Sequence, residues 1–513
     1  MTFIKERLSL VINNKKKLLI KLLIALLMIL TAYLLELFVS NFIYNSYFIW
    51  QRFLFFGTVF FSSYFIYTFK EKPEKVFLCL SLTIGFLYAV TTPISLSSWD
   101  EESHYPFAIQ QSSLVESYFT LADLDIRSIP KEDYFNKELR EISLKAKNES
   151  GNVFSHSVKR NFLNSYHLIG HTPSGIGIFL GRLFGLPWSV VFIMGRVFNV
   201  ICYSIVCYFA IKKLKSGKMI LSVICLFPTA IFLASNYSYD FWVNAFAFLG
   251  FSYFLSERQQ PDKKLTVKET AIMIGALILA CGPKAIYFPL FFLCFFIPKE
   301  KFPSKSFRRN YYILISASAL LVVFSFILPF ISNYGSDFGD MRGGSDVNST
   351  EQVKFIFNNL STYTGTLLGF LSQYLSISNS WGYTTWLAYL GANSFCSYTC
   401  IVLLFVTAFT DKNQHDKFVV KNFFRLKSYS IVFITVCLVA TSLYVAFTPV
   451  GLDTINGCQA RYLLPLIFPI YSVLGSCKIR FHGNKAIYNL AIFATCNYLL
   501  LHSIYSLCVS QYN

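Results

Sequence analysis

The sequence predicts an all-α polytopic membrane protein of about 13 transmembrane helices, with one large polar loop over 97–170 and further helices lying at the membrane interface. Three observations predict it. Of 513 residues, 54% are hydrophobic and 18% aromatic, against 14% charged. A soluble domain carries roughly 25% charged residues, so this chain cannot clothe a water-facing surface of its own size. Second, the apolar runs are long: 18–38, 311–331 and 430–447 approach the ~20 residues that carry a helix across a bilayer, where a helix satisfies its own backbone hydrogen bonds. Third, the charge is placed. Of the 45 Lys and Arg residues, 30 fall in clusters at 1–21, 70–75, 212–218, 258–268, 299–309, 412–427 and 478–485. All are short breaks between apolar runs, the pattern of loops retained in the cytoplasm. The formal charge of +18 therefore points to a membrane and not to nucleic acid.

In chain order, the basic start followed by a long apolar run with no small-residue cleavage site reads as a signal anchor. Spans are expected near 17–40, 48–69, 76–95, 188–211, 218–235, 239–256, 310–332, 386–409, 428–448, 461–476 and 486–508. With the N-terminus cytoplasmic, alternate breaks should lack cations, and 41–47, 235–239 and 448–460 do; the C-terminus is then expected outside. The stretch 269–298 is a short apolar pair broken at Cys281-Gly282-Pro283-Lys284, read as a tight hairpin with Lys284 at its bend, pointing outward from mid-membrane. The loop 97–170, with eleven acids and eight bases, is too long for a mere connector, and a second outer loop covers 333–355. The stretches after them, 172–186 and 355–377, are expected to lie along or dip into the outer interface. This gives three regions: N-terminal spans over 1–75, a core with the large loop over 76–300, and C-terminal helices over 301–513. The thirteen cysteines show no paired C-x-x-C spacing and read as small buried hydrophobes.

Ionisable residues at membrane depth are costly and mark functional sites. Glu36 and Arg52 are read as snorkelling at span ends. The densest signal is Trp99-Asp100-Glu101-Glu102-Ser103-His104-Tyr105, where neighbouring carboxylates and partial desolvation suit one acid to act as a base. The base is not distinguished among Asp100, Glu101 and Glu102, and a solvated acidic helix start is the bland reading. On the same face lie His171, Asp240 in the turn 236–240, and Gln459, Arg461 and Tyr462 ahead of the span at 461–476. Carboxylates facing Arg461 and Lys284 are the arrangement expected for a lipid phosphate beside a base, since guanidinium binds phosphate bidentately and ammonium acts as a point charge. Asp123-Leu124-Asp125 is a D-x-D read as loop surface.

The order of these motifs resembles the bacterial membrane-protein family called domain of unknown function 2142. Asp100-Glu101-Glu102-Ser103-His104 matches its D-E-x-x-H. Thr172-Pro173, Gly181-Arg182-Leu183-Phe184-Gly185-Leu186-Pro187, Arg196 with Asn199, Pro228, Tyr239-Asp240, Pro283-Lys284 and Gln459-Ala460-Arg461-Tyr462 then follow in the family's order, over roughly 77–474. That family is similar in plan to the GT-C glycosyltransferases, which use polyprenyl-phosphate-linked sugars and carry acidic residues in the first two outer loops. Asp100 matches the first position and Asp240 the second. Two spans, where that class usually has one, precede the span before the acidic loop, and the second loop lacks a D-x-D, which speaks against a metal-dependent diphosphate donor.

The resemblance implies an inverting membrane glycosyltransferase of the cell envelope. It would move a sugar from an undecaprenyl-phosphate carrier to a cell-surface glycan on the outer face of the plasma membrane. Asp100, Glu101 and Asp240 would be catalytic, while His104, His171, Lys284, Gln459, Arg461 and Tyr462 would bind substrate or lipid phosphate. No cofactor is required by the motifs, with a divalent metal the one ion left open. A lipid-linked-sugar flippase or transporter is the alternative from another class, favoured by the Gly-Pro-Lys break, and a polysaccharide polymerase or ligase is a third.

Overall fold

The computed structural model describes residues 2–94, 98–126, 154–159, 166–332, 346–411, 420–474 and 481–512. The described residues are almost entirely helical, with one two-stranded sheet. Among the described residues, six helices are long and apolar enough to cross a membrane: Lys16–Ile43 (with its final turn), Trp50–Phe69, Pro73–Thr91, Trp188–Lys213, Asn422–Phe447 and Lys485–Tyr512. Shorter apolar helices lie at Ala285–Cys294, Ser394–Thr410 and Ala460–Leu474, and the helix Lys305–Ser332 has 28 residues.

Helix limits follow from local chemistry. Pro73 and Pro173 occupy first-turn positions, where the missing N–H costs nothing. Thr266 and Glu269 form a capping box at the start of the Val267–Cys281 helix. Pro228 divides the stretch expected as one span over 218–235 into helices Lys218–Cys225 and Pro228–Ala234, because proline cannot donate to the preceding turn. The Val267–Cys281 helix runs to the break at 282–284, and the chain returns as a 3-10 helix, Ala285–Leu290, and one α turn, Phe291–Cys294.

The core is built where Pro73–Thr91, Trp188–Lys213, Asp240–Gln259 and Val267–Cys281 pack in series, with Leu464–Leu474 against Asp240–Gln259. Phe248 and Phe251 meet Phe468 edge-on there, and Tyr88 reaches across to donate to the Leu500 carbonyl oxygen at 3.0 Å. The first two helices form a hairpin at the edge of this core. Its buried Glu36 and Arg52 do not snorkel: Arg52 Nε lies 3.0 Å from the Glu36 carboxylate, and Ser40 Oγ donates to the same carboxylate at 2.7 Å. A turn that returns the chain on itself makes this pairing available, and in an apolar surround it is the cheaper arrangement.

The described part of the large loop is folded. A helix, Glu101–Gln111, is followed by strands Glu116–Thr120 and Phe154–Lys159, paired antiparallel with Glu116 opposite Lys159. Asp123 is not loop surface. It is buried, caps its own helical turn, accepts hydrogen bonds from Tyr105 and from Trp188 Nε1 (2.7 Å), and pairs with Arg182 at 3.0 Å. The Thr172–Leu183 helix lies antiparallel on the start of Trp188–Lys213, and its 12 residues fall short of a crossing. The helices Ser349–Asn358 and Leu360–Tyr374 are likewise short and pack on Asn422–Phe447. Most of the second expected loop, 333–345, lies outside the described residues.

Candidate functional site

Four breaks in the helical bundle meet at one end. The first is the turn into Glu101–Gln111, where Asp100 adopts a left-handed conformation with φ +53°. Asp tolerates this region better than most residues, and such outliers concentrate at functional sites. The turn is held by its neighbour. Glu101 is fully buried and accepts from Ser98 N (2.8 Å), Tyr237 N (3.0 Å) and Arg196 Nη2 (3.3 Å). Arg196 Nη1 also donates to the carbonyl oxygens of Thr92 and Pro93, at 3.2 and 3.1 Å. Burial pushes the Glu101 carboxyl above its usual range, with the Arg196 guanidinium opposing.

The second break is the turn 235–239. Asn199 Nδ2 donates to the Asn236 carbonyl oxygen at 3.0 Å, and Tyr237 Oη to that of Phe192 at 2.8 Å. Glu101 and Asn199 thereby fix Asp240, the first residue of the next helix, relative to Asp100. The other two breaks are 282–284, carrying Lys284, and 448–460. The latter runs into the 3-10 helix Ala460–Leu463, pinned by Tyr374 Oη on Gln459 O (2.9 Å) and Tyr287 Oη on Tyr462 O (2.7 Å).

The side chains converge on Asp240. Its Oδ1 lies 2.7 Å from Lys284 Nζ and its Oδ2 lies 2.8 Å from Arg461 Nε. Arg461 Nη2 reaches Asp100 Oδ2 at 3.3 Å and Tyr462 Oη at 3.5 Å, while Nη1 bonds Gln459. Lys284 Nζ sits 3.6 Å over the Tyr462 ring, and the Arg461 guanidinium 4.5 Å over the Trp99 ring. Aromatic faces and carboxylates thus compensate two cations withdrawn from water. Arg461 and Asp240 are nearly buried, whereas the Asp100 side chain is 32% exposed.

This cluster borders a cavity of about 410 Å³ with two unlike walls. Asp100, Ser103, His104, Lys284, Gln459 and Tyr462 form the polar wall. Val439, Leu443 and Phe447, on one helix, and Ile286 form the apolar wall. Larger grooves of about 620 and 680 Å³ lie on the flanks of the Trp50–Phe69 helix, but none of these ion pairs lines them.

The structure brings together Asp100, Asp240, Lys284, Gln459, Arg461 and Tyr462. His104 lines the cavity with its ring tilted 5.1 Å from that of His171, which is buried against Tyr239. Burial, followed by neighbouring His104, pushes His171 well below the usual imidazole range, with Asp240 opposing. Glu101 is placed differently from a candidate base: it does not line the cavity and its oxygens are engaged. Lys284 meets the turns that carry Asp240 and Tyr462. Ser103 and Tyr239, quoted within the motifs but given no role, and His167, which sequence reasoning passed over, also line the cavity. Two histidines close to the end of the large loop, 167 and 171, were the available signal for one of them. A divalent cation does not fit this donor set, because both Asp240 oxygens are taken by cations and Asp100 faces a third nitrogen of the same cluster. Among the described residues no group of three His, Cys, Asp or Glu side chains converges.

The fold and site define an all-α membrane protein whose interhelical turns gather a compensated charge cluster beside an apolar slot. More specifically, the chain belongs to the family described as "Predicted membrane protein (DUF2142)", whose model matches residues 82–470. That segment contains every residue of the cluster. No curated protein and no solved structure matches the chain.

Proposed function

We propose that the protein is a GT-C-like glycosyltransferase of about 13 spans. It transfers a sugar from an undecaprenyl-phosphate carrier to a cell-envelope glycan on the outer face of the plasma membrane, with its N-terminus in the cytoplasm. The observation that carries this reading is the cavity lined both by the charged Lys284 and Asp100 and by the apolar Val439, Leu443 and Phe447. A polyprenyl phosphate has the matching anatomy: an anion attached to a branched hydrocarbon.

In this reading the acceptor hydroxyl attacks the anomeric carbon and Asp100 takes its proton. The bond from that carbon to the phosphate oxygen breaks, its electron pair stays on the phosphate, and configuration inverts. Lys284 and Arg461 offset the charge that develops on the leaving phosphate. Phosphate competes with Asp100 for Arg461 Nη2, which leaves the Asp100 carboxylate to act as the base. Asp240 holds the two cations in place, and Glu101, through Tyr237 and Arg196, sets the distance between the two aspartates.

The test is transfer in reconstituted membranes, with lipid-linked saccharides extracted from the parent strain as donor. Wild type should form glycan product and Asp100→Asn should not. Equal product from both would sink the assignment. Movement of lipid-linked saccharide across the bilayer without any product would decide for a flippase, the rival favoured by the chain break at 282–284.

A further inference from the structure

The end of the large loop is clamped onto the helix break that carries Lys284. Tyr166 Oη donates to the Ile278 carbonyl oxygen at 2.9 Å, and His167 Nδ1 lies 3.2 Å from the Gly282 carbonyl oxygen. The fit is close enough to exclude side chains at two positions. A Cβ on Gly282 would meet the Tyr166 carbonyl oxygen at 2.9 Å, and one on Gly170 would meet Tyr239 at 2.7 Å and Pro283 at 3.0 Å. The ring of His167 is therefore held at a fixed place beside Lys284.

That hydrogen bond settles the ring's chemistry. A carbonyl oxygen only accepts, so Nδ1 is the protonated nitrogen, and in the neutral ring Nε2 carries the lone pair. The ring lines the cavity, Nδ1 is engaged, and Nε2 is neither bonded to a described residue nor among the buried polar atoms without a partner. Nε2 is thus an accessible hydrogen-bond acceptor at the cavity. The polar wall also carries Ser103, His104, Gln459 and Tyr462 beside two charged groups. Lys284 offers only donors, and Asp100 is drawn to Arg461.

We infer that His167 is a substrate-binding residue whose Nε2 accepts a hydrogen bond from a saccharide hydroxyl in the cavity, beside the phosphate held at Lys284. The inference rests on the glycosyltransferase reading and adds the residue that orients the sugar. A site built to accept a hydroxyl hydrogen bond discriminates strongly against ligands that cannot supply one, so His167 sets specificity as well as affinity.

Two substitutions separate this role from that of a loop clamp. His167→Asn places an amide nitrogen near the Nδ1 position, where it can still donate to Gly282, and removes the acceptor at the Nε2 position. His167→Gln does the reverse. Each is expressed in a strain deleted for the gene, and surface glycan is measured by mass spectrometry per molecule of protein in the membrane. His167→Gln should stay within about threefold of wild type and His167→Asn should fall by about tenfold or more, the effect of losing one hydrogen bond to a substrate. The opposite order, equal loss in both, or wild-type glycan in both would overturn the proposal. Glycans unchanged by the deletion itself would instead overturn the glycosyltransferase reading on which it rests.

Discussion

The helix Asp240–Gln259 carries a buried carboxylate cluster at each end, and the two differ in what surrounds them. At its start, Asp240 holds Lys284 and Arg461. Near its end, Glu257 holds Lys213 at 3.3 Å and Lys301 at 3.0 Å, and Lys213 also reaches Glu269 at 3.0 Å. Both clusters tie several chain segments together with similar ion pairs. Both place a lysine over an aromatic ring, Lys284 over Tyr462 and Lys213 over Tyr253; the first also lines the cavity of about 410 Å³ and includes a carboxylate that is one-third exposed on a left-handed backbone. Charge at depth therefore identifies a place where helices are fastened. A binding site needs the additional facts of space and of a charged group that stays open to it.

The sharpest way to test that difference is Asp100→Asn. Its side chain is 32% exposed and faces Arg461 at 3.3 Å, and a solvent-exposed carboxylate gains little from an ion pair, so stability should change by about 1 kcal/mol or less. If it is the base, transfer should fall about a hundredfold or more. Thermal unfolding in detergent and transfer in the same preparation check both halves. A large loss of stability would place Asp100 with the fastening groups.

Next in size is the matched pair Asp240→Asn and Glu257→Gln. Each leaves two cations short of a partner, and removing one member of a buried pair costs about 3–5 kcal/mol. Both variants should unfold at lower temperature than wild type. Per folded molecule, Asp240→Asn should lose transfer and Glu257→Gln should keep it. Loss of transfer in both would mean that the cluster at the far end is coupled to the site, and the contrast between the two ends would fail.

Much of this was legible in the sequence because the membrane imposes strong patterns. Clusters of Lys and Arg marked one set of breaks, and the cation-free breaks marked the other, where Asp240 and Arg461 lie 221 positions apart yet touch. The role of each acid was not legible. Asp100 and Glu101 are adjacent and similar, and the left-handed turn at Asp100 sends one toward the cavity and the other into the protein. Asp123 looked like loop surface because its partners Tyr105, Arg182 and Trp188 are distant in sequence. Glu36 and Arg52, 16 residues apart, meet only because a hairpin forms. For His167 the sequence offered only its closeness to His171. Its value comes from one carbonyl oxygen at a proline-containing break.

The smallest expected effect concerns the histidine pair beside the cluster. His171 is buried against His104 and Tyr239, and its folded value lies well below 6.5, so the folded protein resists taking up a proton there. The unfolded chain takes that proton near the ordinary imidazole value, so stability should be complete above about pH 6.5 and decline as pH falls below it. One such group gives a slope of at most about 1.4 kcal/mol per pH unit. Thermal unfolding at pH 7.5, 6.5 and 5.5 should show a drop in wild type over the lower interval that is reduced in His171→Gln. Among the described residues the Glu257 ion pairs involve no histidine, so Glu257→Gln should keep the wild-type pH dependence even though it lowers the curve throughout. An unchanged slope in His171→Gln would show that the acid sensitivity arises elsewhere, and that this histidine is no different electrostatically from the rest of the packed interior.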